Sequence, residues 1–404
     1  MAKLFWLFVG SIVYTYAGYP LLLTLLARWR PNQASQVQGA ANLVTPHVTL
    51  LIAAYNEQEV IEEKLKNSLA LDYPRECLQI LVAADGSDDR TPDMVCAFAD
   101  DGVELSYSPE RQGKMAAINR AVPLARGEII VFSDANNFYA PDTLRQLVAP
   151  FTEPTVGAVS GAKIIIKGDG PLGQSEGLYW RYESFIKQQE TRLGTCTAAV
   201  GEILALRRSL WVSPPSEIIN DDFYLAMRLI KRGYRVVYAP QARSFERVSL
   251  TAQDEITRRA RIVAGRYQAI SMAHKLLPAH PVVAWQIISH KFLRPLVPLA
   301  MIGALLSNII AVIRPAAKGE GALLRLAPPI NWLFLALQAL FYALAWRGGR
   351  VEGPGMLQKV LYLPSFLVNS NLAALIGLYR FLTGKQTPRW KRVPRRQEIE
   401  EPRF

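Results

Sequence analysis

Cysteine and histidine are scarce in this chain of 404 residues, which holds three of the first and four of the second. Cys77, Cys96 and Cys196 show no paired or metal-like spacing, which argues against a disulfide scaffold or a cysteine-based zinc site and suits a reducing compartment. His274, His280 and His290 are scattered and form no catalytic pattern. Internal repeats and long low-complexity segments are missing as well, so a repeat architecture is not indicated. The net charge is +12 and the pI about 9.6, yet no platform of aromatic and basic residues marks a nucleic-acid binder. The positive charge sits instead beside apolar segments: Arg28 and Arg30 follow the first, and "RFLTGKQTPRWKRVPRR" follows the last. Such clusters favour the cytoplasmic face of a membrane and its anionic lipids.

Apolar residues are abundant, at 50%, with a mean hydropathy of +0.10 that is high for a soluble enzyme. They are unevenly spread. Residues 4–26 have the length of a bilayer span and carry no charge before Arg28. The run is too long for the apolar core of a signal peptide and lacks a small-residue cleavage site, so it reads as a retained anchor. Residues 296–313 and 330–346 also suit spans. Residues 360–382 are interrupted by Pro364, Asn369 and Asn371, and so cross, bend or lie partly in the interface. An integral membrane protein follows. One span before a cytosolic domain and three after it would put the basic tail outside, against the positive-inside tendency. The conflict disappears if 360–382 is not a simple crossing.

Between the spans, residues 47–245 alternate short apolar strands with helical periodicity. "HVTLLIAAYNE", "LQILVAADGSDD", "VELSYS" and "EIIVFSDANN" read as strands, with "EQEVIEEKLKNSLAL", "RTPDMVCAFA" and "GKMAAINRAVPLA" as helices between them. The pattern predicts an α/β fold with a mostly parallel sheet covered on both faces. Ligands of such sheets gather outside the carboxyl ends of the strands. Tyr55, Asn56, Glu57, Asp85, Asp88 and Asp134 all fall at those ends. In "VFSDANN" the apolar run of residues 129–132 stops at a carboxylate, and Asp134 and Asn136 are spaced to share one hard cation. The same residues also suit an ordinary turn. From 251 to 292 arginines mix with apolar residues, as in amphipathic helices of a membrane interface.

The motifs "AAYNE" at 53–57, "ADGSDD" at 84–89, "GK" at 113–114, "SDAN" at 133–136, "INDDF" at 219–223 and "RRARIVAG" at 258–265 occur in a set order. In that order the chain resembles membrane-embedded family 2 glycosyltransferases, the group of cellulose, hyaluronan, chitin-oligosaccharide and poly-N-acetylglucosamine synthases. The resemblance runs from the first span to the tail. It implies a GT-A-type nucleotide-sugar domain at 45–250, an N-terminal membrane helix at 1–30, interfacial helices at 251–292, membrane helices at 293–384 and a basic tail at 385–404.

The resemblance also implies roles. Tyr55 and Glu57 would meet the uridine of a UDP-sugar, Asp85 its uracil or ribose, and Lys114 the diphosphate, with Ala54 and Asp134 also in the nucleotide-sugar site. Lys114 equally suits a solvated lysine at a helix start. Asp134 and Asn136 stand where relatives have Asp-x-Asp, so Mg2+ or Mn2+ would bind there, with Asp134 carrying most of the coordination. Asp221 and Asp222 match a Glu-Asp pair, with Asp222 at the position of the general base. Asn220 or Asp221 would cap the following helix and so orient Asp222. Arg258 and Arg261 would belong to the nucleotide-sugar site, with Arg261 keeping the phosphate-binding arginine and Arg258 replacing the Gln of the pattern. Ile262 replaces the tryptophan of the Gln-x-x-Arg-Trp pattern, and with it an aromatic platform for the acceptor. The expectation is an inverting transferase at a bacterial inner membrane with its catalytic domain in the cytosol. It would extend a polysaccharide or, alternatively, make a glycolipid by one addition; a non-catalytic scaffold ranks below both. Membrane lipids are expected partners and nucleic acid is not.

Overall fold

The computed structural model describes residues 1–30, 45–166, 170–249, 251–316, 321–348 and 356–387. The tail expected at 385–404 lies, beyond Thr387, outside the described residues. Among the described residues eight strands form one sheet: β1 (Val48–Ala54), β2 (Leu78–Asp85), β3 (Val103–Ser108), β4 (Ile129–Asp134), β5 (Phe138–Tyr139), β6 (Val156–Ile165), β7 (Leu204–Arg207) and β8 (Arg235–Glu246). Their order is β3-β2-β1-β4-β7-β6-β8-β5. The first four are parallel, as are β6 and β8, whereas β7 runs against both β4 and β6, and β5 runs against β8.

The apolar strands are buried on both faces, which is why they read as continuous hydrophobic runs. Along β1, Leu50 and Ile52 enter one core with Ile61 and Leu65, while Leu51 enters the other with Leu81 and Ile118. Each such side chain contributes roughly 1.5–3 kcal/mol by leaving water. The register sets Ala54 beside Ala84 and Ala53 beside Asp134, so β1, β2 and β4 end on one rim. The order of strand addition reverses at β1, with β2 and β3 laid down on one flank and β4 on the other, all still parallel. That rim is a topological switch point, where open α/β sheets bind ligands. Because β7 runs antiparallel to β4, the turn before it returns to the same rim.

Among the described residues four helices are long and apolar enough to cross a membrane: Ala2–Ala27, Pro281–Ile313, Ile330–Gly348 and Leu363–Leu382. They expose large apolar side chains, among them Leu7, Leu21, Leu306, Leu333 and Leu340, that need lipid rather than water. Contacts order the first three. Phe8 lies against Gly303, and the Tyr14 hydroxyl meets Ser289 Oγ at 2.7 Å, so Ala2–Ala27 runs antiparallel to Pro281–Ile313. Asn331 Nδ2 donates to the Ala311 carbonyl at 2.9 Å, which starts the third helix at the far end of the second. The segment at 281–292, expected to lie in the interface, runs on as one helical stretch to Ile313. Its own π-turn, Ile288–Phe292, faces the π-turn Tyr14–Gly18 of the first helix.

The fourth helix, Met356–Leu382, is continuous through Pro364. It lies along the arginine-rich helix Ala252–Ser271, and the two are parallel. Phe366 is 5.0 Å from the Arg259 guanidinium, Gly377 presses on the backbone of Ala260 and Ala264, and Phe381 stacks on Tyr267. At its start, Ser365 bonds to the Ala345 carbonyl near the end of the third helix. Length and composition alone would let this helix span, but these contacts keep the part from Phe366 to Phe381 beside the helix that follows the α/β domain. Its C-terminal end therefore returns to that domain.

Candidate functional site

The rim of the sheet is built from three strand ends. After β1, Tyr55 faces the Arg111 guanidinium, 3.7 Å from the ring centre. One face of the aromatic assigned to a base thus carries a cation. Glu57 is buried, with its N–H donated to Thr91 Oγ1 at 2.8 Å. At the end of β2, Asp85 accepts the backbone N–H groups of Gln112 and Gly113, the latter at 2.6 Å. These bonds make Asp85 the anchor of the loop before Lys114 and leave further acceptor capacity on its carboxylate. Gly86 has φ +66°, and a Cβ there would stand 2.5 Å from that of Arg111, so only glycine lets the loop close this tightly.

Lys114 opens the helix Lys114–Ala121 and reaches Asp134 Oδ1 at 2.5 Å. Burial pulls the pKa of this ammonium down, but Asp134, Asp221 and Asp222 more than offset it, and the net shift is upward. Asn136 lies in the turn after β4, and its Oδ1 is buried without a hydrogen-bond partner among the described residues. Behind Asp134 the fully buried Lys64 donates to Ser133 Oγ at 2.8 Å and to the Asn137 carbonyl at 2.6 Å. Burial drives its pKa down to about 7, against the pull of Asp134 and Glu202. Sequence reasoning passed over Lys64 because it sits inside an ordinary amphipathic helix.

Asp221 and Asp222 begin the helix Asp221–Lys231. Asp222 accepts from the N–H of Gly201 at 3.2 Å and from that of Phe223 at 2.6 Å. Its pKa is raised by burial first and by Asp221 second, while Arg266 and Lys114 pull it down. The expected cap is not formed: the helix start has no side-chain cap bond. The Asn220 amide instead donates to the Ile262 carbonyl at 2.8 Å, because the arginine-rich helix offers it a partner that the open helix end does not. A Cβ at Gly265 would lie 2.5 Å from that amide carbon, so the close approach requires glycine there. Asp222 is oriented by Gly201 and by helix packing rather than by a cap.

Within the arginine-rich helix, Arg258 pairs with Glu255 at 2.7 Å. Burial would raise the Glu255 carboxyl, but Arg258 and Arg259 hold it down at about 2. Arg259 also bonds to Glu176 and lies over Tyr179. Arg261 lines a small pocket together with Gly113, Lys114 and Asp221. Burial lowers its pKa, while the fields of Asp221, Asp134 and Asp222 oppose the shift.

One cavity of about 890 Å³ joins all of these groups: Ala54, Tyr55, Glu57 and Asp85 at one end, Lys114, Asp134 and Asn136 beside them, then Asp221, Asp222, Arg258 and Arg261. Residues 49–212 match the family model described as glycosyl transferase family 2. This segment is a glycosyl transferase family 2 domain. The family 2 domain and its flanks are similar to poly-beta-1,6-N-acetyl-D-glucosamine synthase of Staphylococcus aureus, 28% identical over 257 residues that cover 60% of this chain and 61% of that protein. Beta-monoglucosyldiacylglycerol synthase of a Nostoc species is 31% identical over 223 residues, 53% of this chain and 47% of the other. The chain thus matches less than two thirds of the length of these relatives. Among solved structures, a mannosyltransferase from Pyrobaculum calidifontis in complex with GDP-Man and Mn2+ superposes with a TM-score of 0.69 at 24% identity, over 95% of this chain and 99% of that one. The likeness establishes a GT-A-type fold, with a mostly parallel sheet, that extends into the membrane helices.

The cavity continues past the motif residues. Tyr179, Trp180, Leu363, Phe366 and Leu367 line it from two long helices, and Lys385, Gln386 and Thr387 reach it from the end of the fourth membrane helix. A further group, Glu183, Lys187, Arg266, Lys291 and Arg294, closes its inner part. None of these was singled out by motif, since they come from three helices far apart in the sequence.

Proposed function

We propose that the chain is an inverting, metal-assisted glycosyltransferase that moves a sugar from a UDP-sugar to an acceptor at the inner surface of a bacterial plasma membrane. The observation that carries the reading is the shared cavity of Asp134 and Asp222, with Lys114 electrostatically linked to both. The acceptor hydroxyl oxygen forms the new bond to the anomeric carbon while the bond from that carbon to the diphosphate breaks. UDP leaves with the electron pair, and Asp222 takes the hydroxyl proton. Attack from the face opposite the nucleotide inverts the configuration.

The residues present fit a divalent cation. Among the described residues no group of three or more His, Cys, Asp or Glu side chains forms a ready cage. Magnesium-type sites need none, because one or two oxygen ligands and the substrate phosphates complete the shell. The Asp134 carboxylate and the orphaned Asn136 Oδ1 supply such a pair. When bound, Mg2+ or Mn2+ would neutralise charge on the departing diphosphate. Lys114 and Arg261 add positive charge on the same side, and Asp85 holds the loop that presents Lys114.

A growing polysaccharide is the leading acceptor, supported by the similarity to a poly-N-acetylglucosamine synthase. A lipid acceptor is the second reading, supported by Ile262 in place of an aromatic platform and by the apolar wall of Leu363, Phe366 and Leu367. The positive flanks and reduced cysteines support a cytosolic catalytic domain. The test is nucleotide binding and release by the purified full-length protein with Mn2+ and a panel of UDP- and GDP-sugars. Release of UDP from one UDP-sugar, with loss on chelation, is expected. Binding of neither UDP nor any UDP-sugar would overturn the reading.

A further inference from the structure

Beyond Asp222, where the helices Gly170–Leu193 and Pro281–Ile313 line it, the cavity holds a chamber with a surplus of positive charge. Glu183, on the helix Gly170–Leu193, accepts from His290 Nε2 at 3.2 Å, from Lys291 at 3.5 Å and from Arg294. Burial works against its ionisation, yet Arg294, Lys291 and His290 hold its pKa well below the usual range. One turn further along that helix, Lys187 is 1% exposed. It forms no hydrogen bond or ion pair among the described residues. Its ammonium stands 4.9 Å from the ring centre of Tyr238 and 5.7 Å from that of Trp180. Arg266 lies over Phe223 at 4.4 Å, and its buried Nη1 has no hydrogen-bond partner among the described residues. Arg294 spends one nitrogen on Glu183, and its Nε and Nη2 have none among the described residues.

The fields of Asp222 and Glu183 reach both Lys187 and Arg266, but neither carboxylate bonds to them. Glu183 is already shared by three cationic or imidazole groups. Asp222 is held by Gly201 and Phe223. Buried cations without a counter-ion are costly, and proteins keep them where a ligand completes the set. Three helices supply the charges, so the group is not the by-product of one amphipathic face. Next to it the cavity wall turns apolar, through Leu363, Phe366 and Leu367 of the fourth membrane helix. An anion attached to an acyl or prenyl chain matches both surfaces at once.

We propose that Lys187, Arg266 and Arg294 form an acceptor-side subsite for the phosphate of a membrane lipid, distinct from the diphosphate site at Lys114. This rests on the transferase reading, since the lipid is taken to be the acceptor or the anchor of a growing acceptor. The lipid phosphate fills the chamber, the chain lies along the fourth membrane helix, and a hydroxyl of the headgroup or of an attached sugar reaches Asp222.

The test measures binding of dihexanoyl phosphatidylglycerol, dihexanoylglycerol and inorganic phosphate to the full-length protein in a neutral detergent, with UDP and Mn2+ saturating the donor end. The phosphatidylglycerol is expected to bind about tenfold or more tightly than the neutral glyceride. Lys187→Met and Arg266→Gln are each expected to weaken it by about tenfold or more while UDP affinity holds. Lys187→Arg should restore binding. Lys187→Met should keep or raise Tm, because methionine removes a buried charge without leaving a void, whereas a structural lysine would lower it. Equal binding of the phospholipid and the glyceride, or full binding by Lys187→Met, would overturn the proposal. Inorganic phosphate binding as tightly as the lipid would overturn the lipid assignment. If UDP fails to bind, the transferase reading falls by itself, and the lipid comparison repeated without UDP still decides the subsite.

Discussion

Gly201 donates its backbone N–H to Oδ2 of Asp222 at 3.2 Å, which ties the turn before β7 to the first turn of the helix Asp221–Lys231. A strand that runs backwards in the sheet therefore aims the carboxylate at the rim where β1, β2 and β4 end. Asp222→Asn keeps this shape and removes proton acceptance. Sugar transfer should fall by about 10²–10⁴-fold, with UDP affinity unchanged. Initial rates and a UDP titration check it, and an unaltered rate would remove Asp222 from the role of base.

The acidity of Asp222 sets a pH profile. Its pKa is raised, by burial and then by Asp221. As the proposed base Asp222 works ionised, so transfer should be lost as pH falls through that raised value, with the acid limb of kcat/KM above the ordinary aspartate range. Asp221→Asn removes one of the raising charges and should move the limb to lower pH. A limb that stays in place would show that Asp221 does not tune Asp222.

Gly265 is the contact point between the arginine-rich helix and Asn220. Gly265→Ala puts a Cβ 2.5 Å from the Asn220 amide carbon, which is held by its bond to Ile262. Overpacking of this kind costs about 1–3 kcal/mol. The expected outcome is a lower Tm together with a lower kcat, since the displaced residue directly precedes Asp221 and Asp222. A fall in Tm with kcat intact would mean that the two helices need no fixed spacing for the chemistry.

In the proposed cation site Asn136 would supply an oxygen where a carboxylate would add charge. Asn136→Asp should lower the Mn2+ or Mg2+ concentration needed for half-maximal UDP release, and Asn136→Ala should raise it. A metal titration at fixed donor concentration distinguishes the two. Identical curves for all three proteins would remove Asn136 from the cation site.

The end of the fourth membrane helix lines the same cavity as Asp134, through Lys385, Gln386 and Thr387. A cysteine placed by Gln386→Cys should react with an impermeant maleimide from the membrane face that exposes the native Cys96. Labelling from the opposite face would contradict the parallel packing of this helix on Ala252–Ser271.

Much of the fold was legible because the apolar strands of the α/β domain are long uninterrupted runs that end in acidic or amide residues. The signal is strong where both faces of a strand are buried, as at β1 and β4. It was weaker beyond Ile165. There β7 reverses direction and β8 returns beside β6, and no local property of those residues says which neighbour they join. The break at 292 failed for a related reason: Lys291 and Arg294 look like the polar edge of an interfacial helix, but Glu183 meets both inside the protein. The helix cap at Asn220 failed because a tertiary partner, the Ile262 carbonyl, competed for the same amide.

By itself the sequence determined the chemical types along the rim, since a strand end, a turn and a carboxylate are local features that spacing records. It also determined that long apolar helices would seek lipid. Only the tertiary structure decided that Lys187, Arg266 and Arg294 share one chamber, that Lys114 faces Asp134, and that the fourth membrane helix returns to the α/β domain. These are relations between elements distant in the chain. Helix packing and sheet order fix such relations through the simultaneous burial of many side chains, and no short stretch of residues carries that information.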